Sequence, residues 1–152
     1  MFYAVIQTPP GSSLERTNQV AEKLQKIAEG MEDVQSVSSL AGYEILTEGT
    51  GANSGTCLIN LKSWEERKHS VQEVINELEE KSKDVTGATI EFFQPPAVPG
   101  YGAAGGFELR LLDKAGTGDY KKMETVSRDF VKELSKRPEL SSVFTFYSAS
   151  FP

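Results

Sequence analysis

Few side chains in this sequence are equipped for covalent, acid–base or metal chemistry, and their neighbours decide what each can do. The single histidine, His69, lies in "EERKHSV" just ahead of a helical pattern. A proton relay or ligand set needs partners at fixed spacing, so a solvated or helix-capping role fits it better than a catalytic one. The single cysteine, Cys57, alternates with Ile59 and Leu61 in "TCLINL", the pattern of a buried strand position and not of an exposed thiolate. With one histidine so placed, no Ser–His–Asp relay can be assembled. The carboxylates of "NELEEKSKD" read as the solvated face of a helix. "GTGAN" and "KAGTG" contain glycines but lack the Lys-Ser/Thr ending of a phosphate loop or a full dinucleotide pattern. Met1, Met31 and Met123 are dispersed, and the latter two fall on apolar helical stripes, so a thioether metal site is not indicated. The sequence therefore points to no catalytic residue, no metal and no cofactor.

What remains is the chemistry of binding. Phe107, Leu109 and Leu111 alternate with Glu108 and Arg110, the period of a strand with one apolar face. Phe144 and Phe146 share a face of a second such run, with Val143, Thr145 and Tyr147 opposite. Tyr43 and Ile45 sit in "AGYEILTEGTGANSG", which reads as a long loop punctuated by Gly49, Gly51 and Gly55. These side chains are either ordinary core or the lining of an apolar cleft for small molecules. The stretch ahead of Phe107, "QPPAVPGYGAAGG", has prolines at 95, 96 and 99 that remove amide donors, followed by four glycines. It is a linker or the floor of a binding site.

The elements that must position these residues follow from periodicity. A strand–helix–strand unit appears three times. The first runs from "FYAVIQT" through a helix opened by Ser12 with Glu15, at capping-box spacing, to "VQSVSSL". Its buried stripe is Val20, Leu24, Ile27, Ala28 and Met31. The second runs from "TCLINLK" through a helix opened by Ser70 with Glu73, with Val71, Val74, Ile75 and Leu78 inward, to "ATIEFF". The third runs from "FELRLLD" through a helix with Met123, Val126, Phe130, Val131 and Leu134 on one side, ends near Pro138, and closes with "SSVFTFY". Two interleaved units make a four-stranded sheet with two helices on one side. The expected class is α+β: a complete ferredoxin-like split βαβ subdomain over 1–96, a Pro/Gly-rich linker over 97–106, and over 107–152 the first βαβ half of a second, similar subdomain. The incomplete third unit, and a first methionine set directly on a strand, point to a piece of a longer protein. The third unit is expected to pair with another copy or to pack back on the first domain.

Composition narrows the partners. A net charge of −6 over 152 residues argues against nucleic acid and lends no support to an anionic membrane surface. No apolar run approaches the roughly 18 residues of a membrane span. The N-terminus lacks the basic segment and long apolar stretch of a signal peptide.

Three blocks carry a resemblance. "VIQTPPGSSLERTNQVAEKL", "INLKSWEERKHSVQEVI" and "GGFELRLLDKAGTGDYKKM" resemble, in order, segments of the periplasmic half of resistance–nodulation–division (RND) efflux pumps. The likeness is strongest to the hydrophobe/amphiphile, acridine-resistance branch. It implies a periplasmic porter fragment of an inner-membrane, proton-driven exporter of hydrophobic or amphiphilic compounds. The parent would be a homotrimer with a periplasmic adaptor and an outer-membrane channel. The resemblance places the substrate path in the cleft between the two subdomains. Val5, Phe107, Leu109, Leu111, Phe144 and Phe146 would line it, although the last two stand where the family often has polar or basic residues. Residues 43 to 55, with Tyr43, Ile45, Gly49, Gly51 and Gly55, would match a mobile switch loop. Ser38 stands where the family often has an aromatic.

Two other classes share the architecture. A free-standing ferredoxin-like regulatory domain that binds a metabolite would need only the first 96 residues. An acylphosphatase-type enzyme would need backbone amides where "PPGSSLERT" has proline twice, and an RNA-binding sheet would need a basic-aromatic strand motif.

Overall fold

In the computed structural model, which describes residues 1–96, 98, 105–140 and 143–149, the chain divides into two units, Met1–Gly106 and Phe107–Pro152. Most of the linker read over 97–106, the start of "SSVFTFY" and the last three residues lie outside the described residues.

The first unit contains β1 (Phe2–Gln7), α1 (Leu14–Glu29), β2 (Val34–Glu44), β3 (Gly49–Leu61), α2 (Val71–Ser82) and β4 (Thr89–Phe93). The strands form one antiparallel sheet in the order β2-β3-β1-β4. Both helices lie on one side of it. Their buried residues, Val20, Ala21, Leu24 and Ala28 from α1 and Val74, Ile75 and Leu78 from α2, close on Phe2, Ala4 and Ile6 of β1 and Cys57, Ile59 and Leu61 of β3. This is the α+β, split βαβ arrangement that the alternating periods predict.

Local signals set the helix ends. The cap of α2 is the reciprocal box of Ser70 and Glu73, each side chain accepting the other's backbone N–H. For α1 the capping residue is Ser13 and not Ser12: Ser13 Oγ accepts the Arg16 N–H at 3.3 Å. The Pro9-Pro10-Gly11 turn carries the chain one residue further before the helix begins.

The stretch 43 to 55, read as a long loop, is folded. β2 continues to Glu44, a four-residue turn spans 45 to 48, and β3 begins at Gly49, with Tyr43 opposite Thr50 and Glu44 opposite Gly49. Two contacts hold the turn. The Glu44 carboxylate accepts the Leu46 and Thr47 N–H groups and the Thr47 hydroxyl. Thr56 Oγ1 accepts the Ile45 N–H at 3.2 Å and donates to Tyr43 O at 2.9 Å. The register shifts between Ala41 and Tyr43, where Gly42 at φ +90° stands against the longer stretch of β3 between Thr50 and Gly55. A Cβ there would also lie 3.1 Å from Leu14 Cδ1, so the position requires glycine.

Among its described residues the second unit has one regular element, α3 (Tyr120–Leu134), capped by Asp119, whose carboxylate accepts the Lys122 N–H. Ahead of it Asp113 organises the "KAGTG" turn by accepting the Ala115 N–H and both the N–H and hydroxyl of Thr117. The segments 107 to 112 and 143 to 148 form no ladder among the described residues, so neither is the strand that its alternation predicts. Unit one supplies the reason. Its first two strands, β1 and β2, are not neighbours, because β3 lies between them. Two segments arranged by the same rule have no partner in each other. The α3 stripe is likewise only half used: Met123, Val131 and Leu134 are half-buried and Ser127 is buried, while Val126 and Phe130 are exposed.

Candidate functional site

With both helices on one face, the register lays out the side chains of the other face of the first sheet in rows. One row crosses Ser38, Leu58, Tyr3 and Phe93; the next crosses Leu40, Thr56, Val5 and Glu91; a third crosses Ser54, Gln7 and Thr89. Period two puts these residues opposite the core set, since Ile90 and Phe92 of β4 and Cys57 and Ile59 of β3 point to the helices. The first two rows form an apolar band about four strands wide, interrupted by Ser38, Thr56 and Glu91. Val5 at its centre is completely buried. Among the expected cleft residues, Val5 is the one that this face holds.

The band's border is anchored from below by a buried polar cluster. Thr17 Oγ1 donates to Ala52 O at 2.6 Å and stands 2.9 Å from Thr8 Oγ1. Because the Thr17 proton is used there, Thr8 is the donor, toward Thr17 or toward Asn53 O at 3.1 Å. Asn53 Nδ2 donates back to Thr8 O. The start of α1, the end of β1 and the glycine-rich half of β3 are thus tied together. Gly55 belongs to this packed region: a Cβ there would sit 3.3 Å from Leu40 O and 3.4 Å from Thr17 Cγ2.

His69 is neither merely solvated nor a helix cap. Its Nδ1 lies 2.6 Å from Oδ2 of buried Asp33, whose Oδ1 accepts the Lys68 N–H at 3.0 Å. Lys68 Nζ pairs with Glu32 at 2.6 Å. The hydrogen bonds from the Lys68 amide and from His69 hold Asp33 below the usual carboxylate range, and the Asp33 bond raises His69. These contacts fasten the β3–α2 connection to the α1–β2 turn. On that connection Trp64 is 76% exposed, with the Arg67 guanidinium 3.9 Å from its ring centroid.

In the second unit Leu109 and Leu111 turn toward α3. Together with Tyr120, Met123, Thr145 and Tyr147 they line a hollow of about 340 Å³. Phe107 is 67% exposed and lines no part of it. Phe144 and Phe146 pack on each other, ring centroids 5.1 Å apart, away from that hollow. The structure therefore brings Leu109 and Leu111 together, and Phe144 and Phe146 together, as separate pairs.

Burial pushes the Cys57 thiol up to about 12, so it is no nucleophile at neutral pH. Among the described residues no group of three or more His, Cys, Asp or Glu side chains is placed to hold a metal ion. Sequence reading missed Tyr3, Leu40, Leu58, Glu91 and Phe93. Alternation in "TIEFF" and "TCLINL" assigns some of them to the face opposite the core, but only the register across four strands makes them one surface.

A four-stranded antiparallel sheet with helices on one side and an apolar band on the other defines an α+β module. The AcrB/AcrD/AcrF family model matches residues 1–152, and the chain belongs to that family of RND efflux pumps. Among curated relatives, the toluene efflux pump membrane transporter TtgB of Pseudomonas putida is 33% identical over 147 residues, 94% of this chain and 14% of that protein. The multidrug export protein AcrF of Escherichia coli is 30% identical over 78% of this chain and 12% of its own length. The multidrug resistance protein MdtF of Escherichia coli is 30% identical over 80% and 12%. The chain thus spans about an eighth of the relatives it matches. A solved heavy metal efflux pump superposes with a TM-score of 0.54 at 21% identity, over 62% of this chain and 10% of that one, a likeness of fold. These relatives are transporters and not enzymes. Among the described residues no helix is long and apolar enough to cross a membrane.

Proposed function

We propose that this chain is a periplasmic, substrate-contacting part of a proton-driven RND transporter that exports small hydrophobic or amphiphilic compounds. The observation that carries the reading is the apolar band of Tyr3, Leu40, Leu58 and Phe93, packed around buried Val5, on the helix-free face of a chain that belongs to this family. Burial on such a band is non-directional, about 25 cal/mol per Å² of apolar area. Compounds of different shape then bind with similar, modest affinity. Phe107, Leu109, Leu111, Phe144 and Phe146 extend the apolar lining of the substrate path. The residues from Phe107 onward are the first half of a second porter subdomain, and the parent protein works as a homotrimer with an adaptor and an outer-membrane channel. The segment 43 to 55, with Tyr43, Ile45, Gly49, Gly51 and Gly55, is the gating element, the glycines of its β3 part permitting rearrangement. The free-standing regulatory domain has no observation in its favour.

The test is binding of hydrophobic fluorescent probes to the purified chain. Leu58→Gln is expected to weaken binding of a panel of unrelated probes by several-fold each while leaving the far-UV circular dichroism unchanged. Unaltered binding across the panel would overturn the assignment of this face.

A further inference from the structure

Among the described aromatic rings of the first unit, only that of Trp64 is exposed; Phe2, Tyr3, Tyr43, Phe92 and Phe93 are buried or half-buried. The Arg67 guanidinium lies against the indole, 3.9 Å from its centroid. Among the described residues that guanidinium forms no ion pair, and its Nε is buried without a hydrogen-bond partner. Met1 joins the pair. Phe2 stands opposite Ile59, which sets Met1 at the root of the β3–α2 connection. Burial first and then the charge of Arg67 lower the pKa of the Met1 amino group, so the two are neighbours. The Met1 side chain is exposed, as are the charges of Glu65, Glu66 and Lys68 around it, which are of both signs.

This composition narrows the occupant. Two exposed apolar side chains, Met1 and Trp64, supply far less than the roughly 800 Å² that each partner gives to a stable protein interface. A rim of mixed charge exerts no pull on nucleic acid. A lipid headgroup layer needs neither. It takes an indole at the boundary of hydrocarbon and water, and an arginine whose stem stays on the protein while its charge reaches phosphate. A bilayer is at hand for the family that the chain belongs to, and the relative TtgB is a membrane transporter.

We propose that Trp64 and Arg67 form an interfacial anchor, the indole seated in the headgroup layer of a zwitterionic phospholipid bilayer and the guanidinium on a lipid phosphate. The contacts of Asp33 with the Lys68 amide and with His69 fix the connection that carries the anchor. The anchor then sets the orientation of the first sheet to the bilayer, a role separate from substrate contact.

The test holds the whole 152-residue chain by a C-terminal histidine tag on phosphatidylcholine vesicles that contain a small share of nickel-chelating lipid. Half of the vesicles carry phosphatidylcholine brominated near the carbonyl end of its acyl chains, and selective excitation reads the one indole. The comparison protein moves that indole to the exposed side of α1, by Trp64→Phe with Gln19→Trp. Brominated lipid is expected to quench Trp64 at least about twofold more than the relocated indole, because an interfacial ring lies within reach of the bromines. Arg67→Gln should reduce that excess, and Glu65→Gln should leave it. Circular dichroism confirms that each variant is folded. Equal quenching at the two positions, or an excess that survives Arg67→Gln undiminished, would overturn the anchor. A blue shift of Trp64 that grows with chain concentration in the absence of vesicles would give the ring to a second copy and overturn it equally.

Discussion

Thr17 has one hydroxyl proton and three oxygen atoms within reach: Thr8 Oγ1, Ala52 O and Ser13 O. Replacing it by valine keeps the shape but leaves the Ala52 carbonyl and the Thr8 hydroxyl short of a partner in a dry place. Thr17→Val is expected to cost about 1–3 kcal/mol in urea unfolding, and Thr17→Ser much less. His69 and Asp33 give a second expectation, in pH. His69 is raised from its ordinary 6.5, so its contribution is complete below that value and is lost as pH rises through its higher folded value. Asp33 is lowered from 3.8, so its contribution is present above that value and is lost as pH falls through its lower folded one. The midpoint of denaturant unfolding should therefore decline as pH rises above 6.5, and His69→Gln should flatten that decline. A midpoint that stays level in the wild type from pH 6 to pH 9 would contradict it. Neither partnership was legible in the sequence. Asp33 and His69 are far apart along the chain, and no local period or spacing connects them.

At the scale of elements, what was legible was local. The inward stripes of α1 and α2 follow from a 3.6-residue period, and the Ser70–Glu73 box from its spacing, because both are written within one or two turns of chain. Ser70→Ala is expected to cost about 1 kcal/mol in thermal or urea unfolding. The β2–β3 hairpin was misread because Gly, Thr, Ser and Asn make "TEGTGANSG" look like a loop. Pairing with β2 and the Thr56 hydroxyl overrule composition there. Thr56→Val removes the acceptor for the Ile45 amide and the donor to Tyr43. The expected result is faster hydrogen exchange at Ile45 and its neighbours in the turn, with the core amides of β1 unchanged. Unchanged exchange at Ile45 would mean that the Glu44 carboxylate alone holds the turn.

For the whole molecule, the distribution of buried side chains matters most. Every buried apolar residue among those described lies between Phe2 and Val85. Among its described residues the second unit buries only Ser127 and leaves Leu109, Leu111, Val126 and Phe130 exposed. Conformational entropy is offset mainly by apolar burial. The amides of α3 should therefore exchange at least on the order of 100-fold faster than those of α1 under native conditions. Equal protection would show that the second unit has a core of its own. The two strand–helix–strand units that make the four-stranded sheet were visible as a repeat. The fate of the third unit's strands was not, because alternation reports a capacity to pair and not the presence of a partner.

The exposed ring of Trp64 is the chain's sole indole, and that makes it a spectroscopic reporter of an unusual kind. Its emission in the native state should already be that of a hydrated chromophore resting on a guanidinium. Unfolding the core will change it little, whereas loosening the β3–α2 connection from Asp33 will change it at once. Selective excitation of the indole therefore follows the connection, and circular dichroism follows the sheet and helices. Recorded on one sample, the two curves should separate along the denaturant axis, although the core beneath them melts in a single step.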